Sequence, residues 1–282
     1  LFFMINYNGS IQENNARIFS LNNRGLHYGD AVFETIKVVN GQILFAESHY
    51  FRLMSAMRIM RMVIPMTFTP ELVYDQILRL TQASGPAPAY RIKFLVWRSW
   101  GGTYDPTQEG VDYMIQCTAL AEAHYNPNHS GDYTVELFKD HYVPSGLLST
   151  IKTNNRAINV LGSIYARENG FANCLLLNEQ KQVIEALNGN LFLVKGYTIK
   201  TPPLADGCIK GIIRGELIAL LAKHPDFILE QASISPFELQ KADELFVTNT
   251  IIGVQSISQF RKKQYAHTVG QALLSLLEEQ IS

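Results

Sequence analysis

The chain has 282 residues, 47% hydrophobic and 17% charged, enough to bury one large core or two smaller ones. A formal net charge of −1 and a pI of about 6.7 argue against a protein drawn to nucleic acid or to an anionic membrane by bulk electrostatics. The three cysteines, Cys117, Cys174 and Cys208, lie far apart, with no CxxC and no metal-ligand spacing, which fits a reducing, cytoplasmic setting and no metal centre. No apolar run approaches membrane-spanning length, and the opening Leu1-Phe2-Phe3-Met4-Ile5 is too short for a signal segment. Leu1 to Phe3 read as a remnant ahead of a start at Met4.

In chain order, Met4 to Ile18 predicts a hairpin turning at Asn8-Gly9, and Arg24 to Asp30 a glycine-punctuated loop. Val32 to Val39 reads as a strand ended at Asn40-Gly41. A helix follows from about Glu47 to Met62, with Leu53, Ala56, Met57 and Met60 on its inner face. Thr69-Pro70-Glu71 supplies a cap and a first-turn proline for a helix to about Ala83. Tyr90 to Arg98 and Val111 to Leu120 read as strands, separated by a loop dense in Gly and aromatics from Ser99 to Pro106. Pro, Asn, His, Ser and Gly cluster over Ala121 to Asp132, which predicts a linker between a small α/β domain (1–120) and a larger domain (133–282).

The second half opens on a strand from Tyr133 to Phe138. Hairpins are predicted over 174–185 and 190–200, and Gly211 opens a helix to about Lys223. Ser235-Pro236-Phe237-Glu238 is a capping box with proline at the first helical position. Glu244 to Thr248 is a strand, Asn249 to Gly253 a turn, and Thr268 to Gln280 a closing helix. Hairpins mixed with single helices predict two α+β domains. The absence of GxGxxG and GxxxxGK[ST] leaves a dinucleotide fold or P-loop unsupported.

Four features can carry chemistry. Lys152 stands between a β-like run and a helix starting at Ala157, where desolvation and nearby cations would free its amine to act as a nucleophile; on position alone a solvated surface lysine is the reading to expect, because most lysines lie at the surface. Glu185 ends the apolar strand Val183-Ile184 and is either a solvated edge carboxylate or a fixed inward charge. Gly207-Cys208-Ile209-Lys210-Gly211-Ile212-Ile213 brings amide N–H groups and a helix dipole to one point, a phosphate site or an ordinary helix entry. Arg52 projects from the first long helix.

Their order resembles the class IV aminotransferases, the fold type IV pyridoxal-phosphate enzymes that include branched-chain and D-amino acid aminotransferases and aminodeoxychorismate lyase. Arg24-Gly25-Leu26-His27-Tyr28-Gly29-Asp30-Ala31-Val32-Phe33-Glu34-Thr35, followed by His49-x-x-Arg52-Leu53, is similar to the family's opening motif. The resemblance runs from about Asn22 to Val254. It implies the two-domain fold type IV architecture, an enzyme using pyridoxal 5′-phosphate, and a homodimer with its site at a domain or subunit interface. It further implies that Lys152 forms the Schiff base and moves the proton, and that Glu185 pairs with the pyridinium nitrogen. Arg52 would hold the phosphate bidentately, with Ile212, Ile213 and Thr250 completing the cup and Asn190 supporting the loop after Glu185. The family often has Thr where Ile213 stands, which removes a hydroxyl and leaves the amide.

The same resemblance leaves the reaction open between transamination of a small amino acid and keto acid pair and aminodeoxychorismate lysis to pyruvate and 4-aminobenzoate. A non-catalytic homologue would be expected to have lost Lys152 or Glu185, and both are present. Branched-chain aminotransferases usually carry a tyrosine shortly after the lysine, where this sequence has Ala157 or its neighbours, and its absence argues against that subgroup; Asn155-Arg156 and the stretch from Thr248 to Val254 look more like the lyase-containing branch. Tyr28, Arg91, Lys93, Arg98 and Tyr104 are the expected substrate contacts, with the Trp100-to-Tyr104 loop as a lid.

Overall fold

The structure is a computed structural model that describes residues 4–13, 19–126 and 132–281. Leu1 to Phe3, the stretch 14–18 of the expected first hairpin and 127–131 of the expected linker lie outside the described residues. The chain divides into two units, Leu1–Ala123 with Ile151–Asn155, and His124–Thr150 with Arg156–Ser282.

The first unit holds β1 (Met4–Tyr7), β2 (Ser10–Glu13), α1 (Arg24–Tyr28), β3 (Ala31–Val39), β4 (Gln42–Ile43), α2 (Ala46–Ile59), α3 (Pro70–Ala83), β5 (Ala89–Arg98) and β6 (Val111–Leu120). Its antiparallel sheet runs β2-β1-β6-β5-β3-β4. Asn8 (φ 47°) and Gly9 (φ 88°) both take the left-handed region that a tight hairpin turn demands. Leu53 and Met57 from α2, with Ile77 and Leu80 from α3, bury against Val32, Ile92 and Phe94 on one face of the sheet. Thr69 caps α3 by accepting from the Leu72 N–H.

Two features differ from the expectation. The stretch Arg24 to Asp30, read as a loop, contains α1, because the Asn23 side chain accepts from Leu26 N–H and Gly29 at φ 62° closes the turn. The lysine segment was expected with the C-terminal domain and instead groups with the first unit. The Phe33 N–H donates to the Lys152 carbonyl at 2.8 Å and the Asn154 N–H donates to the Ala31 carbonyl at 2.9 Å, so the segment lies along the start of β3. Backbone pairing over long sequence separation leaves no mark on local residue pattern.

The second unit holds β7 (Thr134–Val143), α4 (Ala157–Glu168), β8 (Asn173–Asn178), β9 (Val183–Ala186), β10 (Gly189–Lys195), β11 (Thr198–Thr201), α5 (Ile212–Leu221), β12 (Ile228–Gln231), α6 (Pro236–Lys241), β13 (Glu244–Asn249), β14 (Gly253–Ile257), β15 (Gln259–Phe260), β16 (Lys263–Gln264) and α7 (Thr268–Glu279). Both expected hairpins form, as β8 with β9 and β10 with β11. The short strands β12, β14, β15 and β16 were not anticipated. β10 is the branch point of a mixed sheet and pairs with β9, β11 and β13. Its register sets Glu185, Asn190 and Thr248 side by side across three strands. Leu175, Val183, Leu191, Leu193, Leu245 and Val247 fill the core on that sheet, and the capping box at Ser235 is in place before α6. Among the described residues no helix is long and apolar enough to cross a membrane.

Candidate active site

In the first unit the sheet exposes its chemistry on both faces. On the helix-covered face, Glu34 takes a position in β3 that its neighbours Val32, Ile36 and Val38 fill with apolar groups. It is 2% exposed and is held by α2, where His49 and Arg52, three residues apart, share one helical face. Arg52 Nε and Nη2 donate to the two Glu34 oxygens at 2.8 and 2.5 Å, and His49 Nδ1 lies 2.7 Å from Oε2. Burial by itself would raise the Glu34 pKa, but the Arg52 charge and the two hydrogen-bonding partners outweigh it and hold the carboxyl at about 2. Burial pushes the His49 pKa down, with Arg52 and Lys152 adding to the shift against the pull of Glu34. His49 is therefore neutral and donates through Nδ1, because an ionised carboxylate can only accept. Its Nε2, also buried, has no hydrogen-bond partner.

On the opposite face of the sheet from Glu34, around Phe33, chemistry of a different kind collects. The Lys152 ammonium lies 4.6 Å from the ring centroid and that of Lys93 lies 5.3 Å from it. Lys93 is half-buried, and burial followed by the Arg91 charge lowers its pKa. No carboxylate pairs with it among the described residues. Arg91, one pleat further along β5, is exposed and lines a cavity of about 140 Å³ with Lys93, Gln116 and Thr118.

The remaining substrate candidates divide. Arg98 is not available to a ligand as expected. It is 7% exposed, its Nε donates to Asp30 at 2.9 Å, and Nη1 and Nη2 donate to the Arg61 and Met60 carbonyls. Asp30 also accepts from Arg24, whose Nη1 donates to the carbonyls of Gly101 and Thr103. One buried carboxylate between two arginines thus fixes the loop expected as a lid. Tyr28 lies over Arg24, with 4.9 Å from guanidinium to ring centroid, and its ring is 5.7 Å from that of Tyr104, which is 90% exposed.

In the second unit Glu185 is 5% exposed, which selects the fixed inward charge over the solvated one. Its Oε2 accepts from Ile209 N–H at 2.9 Å, and the Asn190 side chain donates to the Ile209 carbonyl at 2.8 Å. The loop before α5 is thereby tied to the Glu185–Asn190–Thr248 row. Gly211 is the N-cap of α5 and offers no capping side chain, so the first-turn amides of the buried Ile212 and Ile213 meet none. Thr250 is buried just beyond β13, and the Thr248 hydroxyl, also buried, lacks a hydrogen-bond partner.

The model of the amino-transferase class IV family matches residues 31–260. The chain belongs to the class IV aminotransferase family. Among its relatives is a putative branched-chain-amino-acid aminotransferase of Methanocaldococcus jannaschii, 30% identical over 85% of this chain and 81% of that one. Another is an aminodeoxychorismate lyase of Vibrio harveyi, 27% identical over 84% and 86%. The branched-chain aminotransferase of Thermoproteus uzoniensis, solved with norvaline, superposes with a TM-score of 0.86 at 18% identity and covers 98% of this chain and 93% of that one. The fold is therefore the two-domain fold type IV arrangement of α+β units. The likeness to a putative branched-chain enzyme stands beside the absence of a tyrosine around Ala157, which argues against that subgroup.

Members of this family, aminotransferases and lyases alike, depend on pyridoxal 5′-phosphate, and so does this enzyme. The residues fit that group. The uncapped amides of α5, unlike the capped starts of α3 and α6, suit a phosphate, and a buried acceptor-only carboxylate suits a protonated ring nitrogen. An added Cβ at Gly211 would lie 1.9 Å from Asn190 Oδ1, and Asn190 is itself held at Ile209. Gly211→Ala is therefore expected to lower stability by roughly 1–3 kcal/mol through overpacking and to weaken cofactor binding; thermal melting of the apoenzyme and a cofactor titration check both.

Glu34, His49, Phe33 and Ile209 had no assigned role in the sequence reading. A charged residue in the apolar alternation of β3 is the signal that marks Glu34, and the i, i+3 spacing of His49 and Arg52 marks its partners. For the Ile209 amide no sequence signal exists, because any residue can supply it.

Proposed function

We propose that this class IV enzyme is an aminotransferase that exchanges an amino group between a small, largely apolar amino acid and a 2-oxo acid. The observation that carries the reading is the Phe33 ring faced by two amines, Lys152 and Lys93. Phe33 and its cross-strand partner Leu95 offer apolar surface, and Lys93 supplies a cation for a substrate carboxylate. Pyridoxal 5′-phosphate supplies, when bound, the ring that takes up the electron pair left behind as the substrate Cα proton departs.

The chain's own residues do the rest. Lys152 Nζ anchors the cofactor and carries the proton taken from the substrate Cα. Glu185, fixed by the Ile209 amide, keeps the ring nitrogen protonated, which a neutral side chain would not. Ile212 and Ile213 bind the phosphate through their amides, and Thr250 closes the cup. Arg52, whose Nε and Nη2 donate to Glu34, is read as the guanidinium that binds the phosphate. Exposed Leu26, Trp100 and Tyr104 in the first unit support a homodimer in which a second copy covers them, and the enzyme is read as cytoplasmic.

The lyase reading remains the second, supported by the 27% identity to the Vibrio harveyi enzyme and by Asn155-Arg156 after the lysine. Product analysis separates the two. Purified enzyme is given L- and D-amino acids with 2-oxoglutarate, then aminodeoxychorismate. Keto-acid exchange is expected; release of 4-aminobenzoate without exchange would replace the first reading by the second.

A further inference from the structure

Tyr125 lies in the stretch that the sequence marks as a linker, yet it is 3% exposed and packs within the second unit. Its phenolic O–H donates to the Thr250 carbonyl at 3.0 Å. Its ring closes on Gly253, where an added Cβ would come within 3.0 Å of it. From behind, Glu278 near the end of α7 accepts from the Tyr125 N–H at 3.2 Å and, through its other oxygen, contacts His124 at 2.6 Å.

The Thr250 carbonyl shares a peptide plane with the Ile251 N–H, and that N–H donates to Asn249 Oδ1 at 3.0 Å. The same Asn249 oxygen accepts from Ile252 N–H, while Asn249 Nδ2 donates to the Asn188 carbonyl in the loop after Glu185. The peptide is thus gripped at both poles, by a phenol at the oxygen and by an amide oxygen at the N–H. Fixing that plane restricts ψ of Thr250 and so steadies the backbone from which its side chain projects. Burial, and then the Glu278 charge, raise the phenol's pKa, so it stays a donor across the working range.

We propose that Tyr125 is a positioning residue for phosphate recognition, holding the Thr250 peptide so that this residue closes the cup. The inference rests on the reading of Thr250 as a phosphate ligand, and the test separates the two claims. Apoenzymes of wild type, Tyr125→Phe, Asn249→Ala and Thr250→Ala are titrated with pyridoxal phosphate and with pyridoxal, which lacks the phosphate, and each apoenzyme is melted. Tyr125→Phe is expected to weaken pyridoxal phosphate about fivefold, the size of one lost buried hydrogen bond, and to leave pyridoxal unchanged. Asn249→Ala, which releases the other pole of the peptide, is expected to show the same selective loss and decides the matter should Tyr125→Phe fail to fold. Selective loss in Thr250→Ala but in neither Tyr125→Phe nor Asn249→Ala overturns the positioning role. An equal loss for both ligands in Tyr125→Phe overturns it as well. No selective loss in Thr250→Ala overturns the phosphate reading of Thr250 beneath it.

Discussion

Lys152→Ala is expected to leave a folded protein with activity reduced by at least about 10⁴-fold. The first half of that expectation follows from what anchors the segment. The Lys152 carbonyl and the Asn154 N–H make its bonds to β3, and both belong to the main chain, so truncating the side chain removes neither. The ammonium contact over the Phe33 ring goes with the side chain, and at a half-exposed site it contributes about 1 kcal/mol. The second half follows from chemistry. A positioned base contributes about 10²–10⁴-fold, and here the same amine also anchors the cofactor covalently. Borohydride reduction followed by mass analysis of the peptide containing position 152 gives a readout independent of turnover. Wild type should carry the reduced cofactor there and the variant should not; label retained elsewhere in the variant would remove Lys152 from the role.

Glu34→Ala is expected to produce the largest loss of stability in the first unit, roughly 3–5 kcal/mol, because it leaves the Arg52 charge and the His49 ring buried without their shared partner. Urea denaturation followed by intrinsic fluorescence measures it, and a loss below about 1 kcal/mol would contradict the geometry. The pH dependence supplies a second check. Glu34 has a folded pKa of about 2 against an ordinary 4.5, so its contribution is present above 4.5 and is lost as pH falls through that interval. The His49 pKa is depressed below an ordinary 6.5, so protonation favours the unfolded chain as pH falls below that value. Both effects weaken the fold on the acid side. Stability should therefore fall in two stages as pH is lowered from about 7 to about 3, and Glu34→Ala should lack the lower stage.

Most elements were legible because they carry local signals. Asn8-Gly9 and Asn40-Gly41 mark turns by the positive φ their residues tolerate, and Thr69 and Ser235 mark helix starts by the hydroxyl that replaces a missing backbone acceptor. Asn23 and Gly29 carry the same kind of signal, but the helix between them is five residues long, too short to show an apolar period. The strands β12, β14, β15 and β16 are two to five residues long and exist through their neighbours, so no window of sequence announces them.

The candidate site divides in the same way. Residue type and order pointed to Lys152, Glu185, Arg52 and the Gly211 helix start, because an amine, a fixed carboxylate, a guanidinium and uncapped amides are what this chemistry needs, and side-chain identity is written in the chain. Whether a given charge faces a ligand or serves the fold was not. Arg98 had the type and neighbourhood of a substrate cation, and Asp30 with two backbone carbonyls occupies it instead. Glu34 and Tyr125 looked ordinary until strands and helices far apart in sequence brought Arg52 to one and Thr250 to the other. A charge or hydroxyl takes its role from what lies within about 3 Å of it in a desolvated place, and that is a property of long-range packing, which no residue carries alone.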